Sequence, residues 1–321
     1  MRRLTPILLV GALVASPACR NEPHQSQPSV PEAAARSTAE AGPGPEAADA
    51  RLTELPRKPG SLRFAVIGDT GRGDRYQYMT AAKMIEWRQR FDYDFVLMLG
   101  DNIYAPGSKE DYAQRFERPY KPLLDAGVPF YAAIGNHDPA GQEHYPLFNM
   151  NGRRYYAFEK EEGSLKPLFS RKVLFVAIDT VNLTRQQLNW INGTLDESDA
   201  HWKLAFYHHP LYTSGRYQLG ASRLRGALEP LFVRHELDVA LSGHEHFYER
   251  ITPQNGIQYF TSGAGGALRL NDLRRSEWTA AGFDTDTHFM LMEIAGDTLY
   301  FLAISRKGEI VDSGSVRRNG S

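Results

Sequence analysis

Aspartate, asparagine and histidine residues recur in five short turns that also contain glycine or proline. The turns are GDTG at 68–71, GDNIY at 100–104, GNHD at 135–138, HHP at 208–210 and GHEH at 243–246. An isolated GD or GN turn is usually a sharp bend, but two histidines two residues apart, such as His244 and His246, can bind one centre. Five such turns in one chain therefore favour a shared site.

Nearly every one of these turns follows an apolar run that is typical of a buried strand. The apolar runs lie at 62–67, 95–99, 130–134, 173–178, 204–207 and 239–241, and an aromatic alternation at 155–158 predicts a half-buried strand. Helical patterns lie at 76–90, 109–124, 184–195 and 222–235. This alternation predicts βαβ units. Ligands of open α/β sheets bind outside the carboxyl ends of the strands, so we expect the turns to meet at one site.

The C-terminal part of the chain changes character. Runs at 288–295, 298–305 and 309–313 predict a meander of antiparallel strands, with turns at Gly296-Asp297 and Lys307-Gly308. Residues 61–321 contain no second linker and no internal repeat. We therefore predict one domain of the α/β class over 61–321, an α+β sandwich in which helices flank two packed mixed β-sheets.

From about Phe64 to Glu249, and on through SGAGG at 262–266, the sequence resembles the calcineurin-like metallophosphoesterases. Within them it resembles the purple acid phosphatase branch, which includes the tartrate-resistant acid phosphatases. The family-wide pattern opens with Asp-x-His, whereas this chain has Asp-x-Gly and places Tyr104 three residues after Asp101. That GDxxY block, and the FYER that follows GHEH, are marks of the branch. The resemblance implies the four-layer fold of the family.

The resemblance also implies a dinuclear metal site. The implied ligands are Asp69, Tyr104 and His246 for the first ion, Asn136, His208 and His244 for the second, and Asp101 as the bridge between them. A carboxylate can span two ions. Carboxylate and phenolate oxygens suit a trivalent ion such as Fe(III), whereas imidazole and amide suit a divalent ion, which we expect to be Fe, Zn or Mn.

The same resemblance implies hydrolysis of phosphomonoesters by attack of a metal-bound hydroxide on phosphorus. His137 is then expected to act as the catalytic acid for the leaving group, and its alternative is a packing histidine after a tight turn. The family's further site histidine has no counterpart here. Arg216 or Tyr217 lies nearest to its place. Of the two, Arg216 is expected to contact substrate phosphate, unless it is a solvated loop arginine. His209 is expected to be structural or to support the ligands.

Charge and composition narrow the function classes. Thirty-seven Lys and Arg against 38 Asp and Glu give a formal net charge of −1. This balance argues against a nucleic-acid binding surface. We expect a phosphorylated small molecule as substrate and a monomeric enzyme. A phosphodiesterase or nucleotide hydrolase with the same metal pair is the alternative enzyme, and a non-catalytic ligand-binding protein is the alternative outside enzymes.

The N-terminus resembles a bacterial lipoprotein precursor. Arg2 and Arg3 precede nine apolar residues at 7–15, which are too few to span a bilayer because spanning needs about 20. Cys19 ends this segment and is the only cysteine, so an intramolecular disulfide and a Cys-rich zinc site are excluded. We predict a signal segment over 1–19 with a lipobox-like end.

Residues 20–60 are rich in Pro, Ala, Glu, Ser and Gln, which predicts a disordered linker. The segment ending at Cys19 departs from the usual lipobox at Ser16 and Pro17. Lipidation of Cys19 and plain secretion after Ala18 therefore both stay open. In either case we expect an exported protein, periplasmic or on the cell surface, and the lipidated form would be anchored to a bacterial membrane.

Overall fold

The computed structural model describes residues 52–162 and 171–318. The strands are β1 (Leu62–Ile67), β2 (Phe95–Met98), β3 (Phe130–Ala132), β4 (Tyr156–Glu162), β5 (Arg171–Ile178), β6 (Trp202–Tyr207), β7 (Val239–Ser242), β8 (Tyr248–Ile251), β9 (Gln258–Ser262), β10 (Thr279–Phe283), β11 (His288–Ala295), β12 (Thr298–Ser305) and β13 (Ile310–Arg317). The α-helices are α1 (Arg75–Arg88), α2 (Lys109–Tyr112), α3 (Lys121–Asp125), α4 (Arg185–Asp196) and α5 (Gln218–Arg234). In these two ranges no helix has the length and apolar character needed to cross a membrane.

The strands form two mixed sheets, which confirms the predicted fold class. The first has the order β13-β12-β11-β1-β2-β3, and the second has the order β10-β8-β9-β7-β6-β5-β4. Strands β1, β2 and β3 are parallel, as are β5, β6, β7 and β9. The predicted meander is present as β11, β12 and β13, and β11 pairs with β1.

Aromatic side chains pack the two sheets together. Phe64 of β1 and Phe95 of β2 stack with ring centroids 5.2 Å apart, and both meet Phe175 of β5 edge-on, at 5.5 and 5.4 Å. Along β5 the side chains alternate, as the period of a strand requires. Phe175 belongs to the core between the sheets, whereas Leu174 and Val176 belong to a second core with residues of α4 and α5.

The prediction of one continuous helix over 109–124 is wrong. It is divided into α2, a π-helical turn at Ala113–Glu117, and α3. The backbone N–H of Arg118 bonds to the carbonyl of Ala113, which adds one residue to the turn, and Pro122 of α3 has no N–H to donate. The predicted helix at 222–235 begins earlier, at Gln218.

The last part of the predicted linker lies within the described residues and contacts the sheets. Leu55 is buried, and the backbone N–H groups of Arg57 and Lys58 donate to the carboxylate of Glu293 at 2.8 and 2.6 Å. The predicted signal segment 1–19 and linker residues 20–51 lie outside the described residues. The boundary of the domain at residue 61 remains a prediction.

Candidate metal centre

The turns named in the sequence follow the carboxyl ends of strands from both sheets. Asp69 lies two residues after β1, and Asp101 and Asn136 follow β2 and β3 of the same sheet. His208 directly follows β6 and His244 follows β7, both in the second sheet. The predicted site is therefore assembled where the strand ends of the two sheets meet.

Close backbone approach explains why these turns contain glycine. A Cβ atom on Gly135 would come within 2.2 Å of the Asp101 carboxylate, and one on Gly243 within 2.5 Å of the Asp69 carboxylate. Three predicted ligands adopt the left-handed backbone conformation, with φ of 54° at Asp69, 52° at Asp101 and 69° at His244. Positive φ in non-glycine residues is uncommon and clusters at functional sites.

Asp69, Tyr104 and His246 form one half of the site. Tyr104 Oη donates a hydrogen bond to Asp69 Oδ1 at 3.1 Å. Nε2 of His246 lies 3.2 Å from Asp69 Oδ1 and 3.2 Å from Tyr104 Oη. The structure thus brings together atoms of the three residues predicted to hold the first metal ion, and that role stays a prediction.

Asn136, His208 and His244 form the other half. Nε2 of His208 lies 3.1 Å from Asn136 Oδ1 and 3.2 Å from His244 Nδ1. Nδ1 of His208 lies 2.9 Å from the carbonyl oxygen of Leu99, to which it can donate. That hydrogen bond would hold the ring and leave Nε2 free as a metal ligand.

Asp101 lies between the two halves. Its Oδ1 is 3.4 Å from His208 Nε2, and its carboxylate lies within 4.8 Å of the ligand atoms of Asp69 and His246. Asp101 Oδ1 accepts the backbone N–H of His137 at 2.9 Å, whereas Oδ2 is buried without a hydrogen-bond partner. A buried carboxylate oxygen without a hydrogen-bond donor is available to a cation, as expected of a carboxylate that bridges two ions.

The electrostatics of the cluster favour bound cations. Burial raises the pKa of Asp69 well above its usual range, and the charge of Asp101 adds to the effect. Burial and the two carboxylates also raise the pKa of Tyr104. Carboxylates and phenolate packed this closely repel one another, and cations between them remove the repulsion.

The histidines of the site are held in the form that binds metal. Burial lowers the pKa of His208 well below its usual range, that of His244 to about 2 and that of His246 to about 3. Neutral imidazole is the metal-ligating form. The donor set, with two carboxylates, one phenol, one amide and three imidazoles, therefore fits a pair of metal ions.

His137 and His209 both lie beside the candidate ligands. The ring of His137 is 5.0 Å from that of Tyr104, and its side chain is exposed at the opening of the site. The ring of His209 lies 4.3 Å from that of His244, and its Nδ1 is 3.1 Å from Thr180 Oγ1. The structure thus brings His209 against a candidate ligand, where it supports the position of the ring.

Arg216 is engaged with another residue. Its guanidinium Nε is 3.2 Å from Asp272 Oδ1, and the side chain is 57% exposed. The neighbouring Tyr217 lies closer to the site, because its ring is 4.2 Å from that of His244. The role of Arg216 in phosphate binding stays a prediction, and Tyr217 is the residue of this loop that the structure brings to the candidate ligands.

Two residues beside the site, Asp138 and Arg269, were given no role from the sequence. Asp138 accepts the backbone N–H groups of Gly135 and Ile103 at 2.8 and 2.9 Å and so ties two of the turns together. The guanidinium of Arg269 lies 5.4 Å from the centre of the Tyr217 ring. Asp138 stands inside the GNHD turn and could have been found there, whereas nothing around Arg269 in the sequence signals its position.

The chain is similar to known phosphoesterases and acid phosphatases. Residues 62–248 match the calcineurin-like phosphoesterase family. The chain is similar to purple acid phosphatase 3 of Arabidopsis thaliana, with 27% identity over 242 residues, 67% of this chain and 66% of that protein. It is also similar to tartrate-resistant acid phosphatase type 5 of Mus musculus, with 26% identity over 242 residues, 65% of this chain and 73% of that protein.

Two solved structures share the fold. The purple acid phosphatase PPD1 from yellow lupin seeds superposes with a TM-score of 0.65 at 20% identity, over 81% of this chain and 54% of that one. GAP50, described as the anchor in the inner membrane complex of Plasmodium, superposes with a TM-score of 0.73 at 21% identity, over 81% of this chain and 90% of that one. At these identities the likeness extends to the fold alone.

Replacing Asp101 with alanine is expected to remove both metal ions together, because its carboxylate lies between the two groups of ligands. Metal content per chain, measured by mass spectrometry on folded protein, tests this. Asp199→Ala, which removes an exposed carboxylate paired with Lys172, is the control and should keep both ions. Loss of a single ion from the Asp101 variant would show that Asp101 is not the bridge.

Proposed function

This chain belongs to the calcineurin-like phosphoesterase family, and on that basis we propose that it is a dinuclear-metal phosphatase that hydrolyses phosphomonoesters of small molecules. Membership of the family makes it a metal-dependent phosphoric ester hydrolase. The position of Asp101 is the observation that supports a dinuclear-metal phosphomonoesterase. Its carboxylate lies among the candidate ligand atoms of Asp69, His208 and His246.

Seven side chains would hold the two ions. They are Asp69, Tyr104 and His246 for the first, Asn136, His208 and His244 for the second, and Asp101 for both. The distances of 3.1–3.4 Å between neighbouring donor atoms support this division. When bound, two such ions supply Lewis-acid activation of water and neutralise the charge of the phosphate oxygens.

We assign to His137 the role of proton donor to the leaving group. Its backbone is fixed by the hydrogen bond to Asp101, and its side chain is exposed beside Tyr104. A protonated imidazole at the opening of the site can give its proton to the departing alkoxide oxygen. Proton donation of this kind typically accelerates a reaction by about 10²–10⁴-fold.

The His137→Ala variant is expected to keep its metals and to lose about 10²-fold or more in kcat for an alkyl phosphate, with a smaller loss for para-nitrophenyl phosphate. The reason is that a poor leaving group needs the proton most. Steady-state kinetics with both monoesters and with bis(para-nitrophenyl) phosphate measure this, and wild type should hydrolyse the monoesters faster than the diester.

His201→Ala is the matched control, because His201 pairs with Asp297 away from the candidate ligands. Equal losses with both monoesters, or none, would remove the assigned role of His137. A wild-type preference for the diester would replace the phosphomonoesterase with the phosphodiesterase alternative.

Fe(III) is the ion we propose for the half of the site that contains Tyr104. A carboxylate and a phenolate are hard anionic donors and suit a trivalent ion, whereas the second half offers amide and imidazole and suits Fe, Zn or Mn in the divalent state. The high pKa of the buried phenol means that a strongly charged cation is needed to hold it as phenolate.

Purified protein is therefore expected to be purple, and the Tyr104→Phe variant colourless, because phenolate-to-iron charge transfer produces the absorption band. Visible spectroscopy together with iron analysis tests this. Tyr217→Phe removes another phenol that lies near His244 and should leave the colour unchanged. A colourless, iron-free and fully active wild-type enzyme would contradict the proposal and favour two divalent ions.

Export and membrane attachment are further proposals, supported by the sequence alone. The positive residues at 2–3, the apolar run at 7–15 and Cys19 support a signal segment that ends at a lipidated cysteine. Stable anchoring needs two lipid signals or more, as a multiply acylated cysteine provides.

Full-length protein produced in a bacterium is expected to sediment with membranes, and the Cys19→Ser variant to lose that association. Fractionation followed by intact mass measurement tests both the location and the lipid mass. Processing directly after Ala18, with soluble protein and no added mass on wild type, would instead establish plain secretion.

A further inference from the structure

A cavity of about 430 Å³ lies against the candidate metal centre on the side of His246. His246 forms part of its wall, and Leu268 contributes an apolar side chain from the loop that follows β9. Two arginines from distant parts of the chain, Arg72 and Arg306, line the same cavity. A molecule bound at the metal centre could therefore extend into a space with two guanidinium groups.

Arg72 links this cavity to Tyr104, another candidate ligand in the same half of the site as His246. Its guanidinium lies 5.9 Å from the centre of the Tyr104 ring. Its Nε is 3.7 Å from Asp74 Oδ2, beyond hydrogen-bond distance, and its side chain is 51% exposed. The N–H donors of the Arg72 guanidinium make no hydrogen bond to a described residue, so they are available to a ligand beside Tyr104.

Arg306 also lines the cavity and is held there by contacts with two neighbouring residues. Its guanidinium pairs with the carboxylate of Asp286 and lies 5.1 Å from the centre of the Tyr76 ring, with only 18% of the side chain exposed. Arg75 lies over the same ring at 4.7 Å. Because the guanidinium groups of Arg75 and Arg306 lie over the Tyr76 ring, this ring is not open for stacking with a ligand. The cavity therefore offers a ligand positive charge rather than an aromatic surface.

The two carboxylates that line the cavity, Asp74 and Asp286, accept hydrogen bonds from backbone N–H groups. Asp74 Oδ1 accepts the backbone N–H groups of Tyr76 and Gln77 at the start of α1, at 3.0 and 3.2 Å. Asp286 Oδ1 accepts the backbone N–H of Thr287 at 2.8 Å. Hydrogen bonds from backbone donors offset part of the negative charge of both carboxylates, and the dipole of α1 adds to this effect at Asp74 only. The guanidinium groups can therefore bind an additional anion.

We propose that this cavity is a subsite for the leaving group of the substrate, and that it binds leaving groups that carry a second phosphate. Preferred substrates are then small molecules phosphorylated at two positions, with one phosphate at the metal centre and the other between Arg72 and Arg306. The planar donor fork of arginine matches phosphate oxygens. This proposal rests on the proposed phosphatase function.

The test compares kcat/KM for fructose 1,6-bisphosphate and fructose 6-phosphate on the metal-loaded enzyme. Wild type is expected to have a kcat/KM about tenfold or more higher for the bisphosphate. The reason is that one charge-assisted hydrogen bond to the second phosphate typically strengthens binding by about that factor. Arg72→Gln and Arg306→Gln should each lower this preference by about tenfold. Arg75→Gln is the matched control, because it removes a charge from the same ring outside the cavity wall and should keep the wild-type ratio.

The outcomes separate this proposal from the proposed function. Hydrolysis of para-nitrophenyl phosphate without a preference for the bisphosphate would overturn the subsite and leave the phosphatase intact. Failure of metal-loaded wild type to hydrolyse any monoester would overturn both. If Arg306→Gln does not fold because Asp286 loses its partner, the exposed Arg72 still decides, and an unchanged ratio in Arg72→Gln would overturn the subsite.

Discussion

The hydrogen bonds of Asp69 hold the two sheets and the candidate ligands in one arrangement. Asp69 follows β1 in the first sheet, yet its Oδ2 accepts the backbone N–H of His244 from the second sheet at 2.8 Å. Its Oδ1 accepts the hydroxyl of Tyr104, and its carbonyl accepts the N–H groups of Gly266 and Ala267. One residue therefore positions ligands from both sheets and the loop that lines the neighbouring cavity.

This arrangement has a cost in stability that the rest of the domain offsets. Positive φ at Asp69, Asp101 and His244 costs about 1–3 kcal/mol at each position, and buried carboxylates add to it. The aromatic core between the sheets supplies apolar burial that does not depend on the site. Phe64 and Phe175 lie in strands of different sheets and fix their relative position. Apolar burial between the sheets therefore offsets part of the strain in these turns.

The sequence predicted most of the fold because the strands that carry the site are apolar runs bounded by glycine turns. It missed β8, β9 and β10, where local patterns are weak. In β8, Glu249 accepts the N–H of Ser214 at 2.9 Å and Arg250 donates to Asp312 at 2.7 Å. Such polar residues are satisfied only by distant parts of the chain, so their strand character cannot be read from neighbours in the sequence.

The sequence indicates the chemistry of the candidate site, but it leaves out the residues that line the neighbouring cavity. The candidate ligands stand in turns whose residue types are unusual together, so the sequence could point to them. Arg72, Arg269 and Arg306 are ordinary arginines in loops or at strand ends, and only the fold brings them beside His246, Tyr104 and Tyr217. The formal net charge of −1 hides this grouping, because a sum over the chain keeps no record of position. Under the proposed subsite, selectivity for a substrate depends on contacts between distant segments, which motif and composition do not encode.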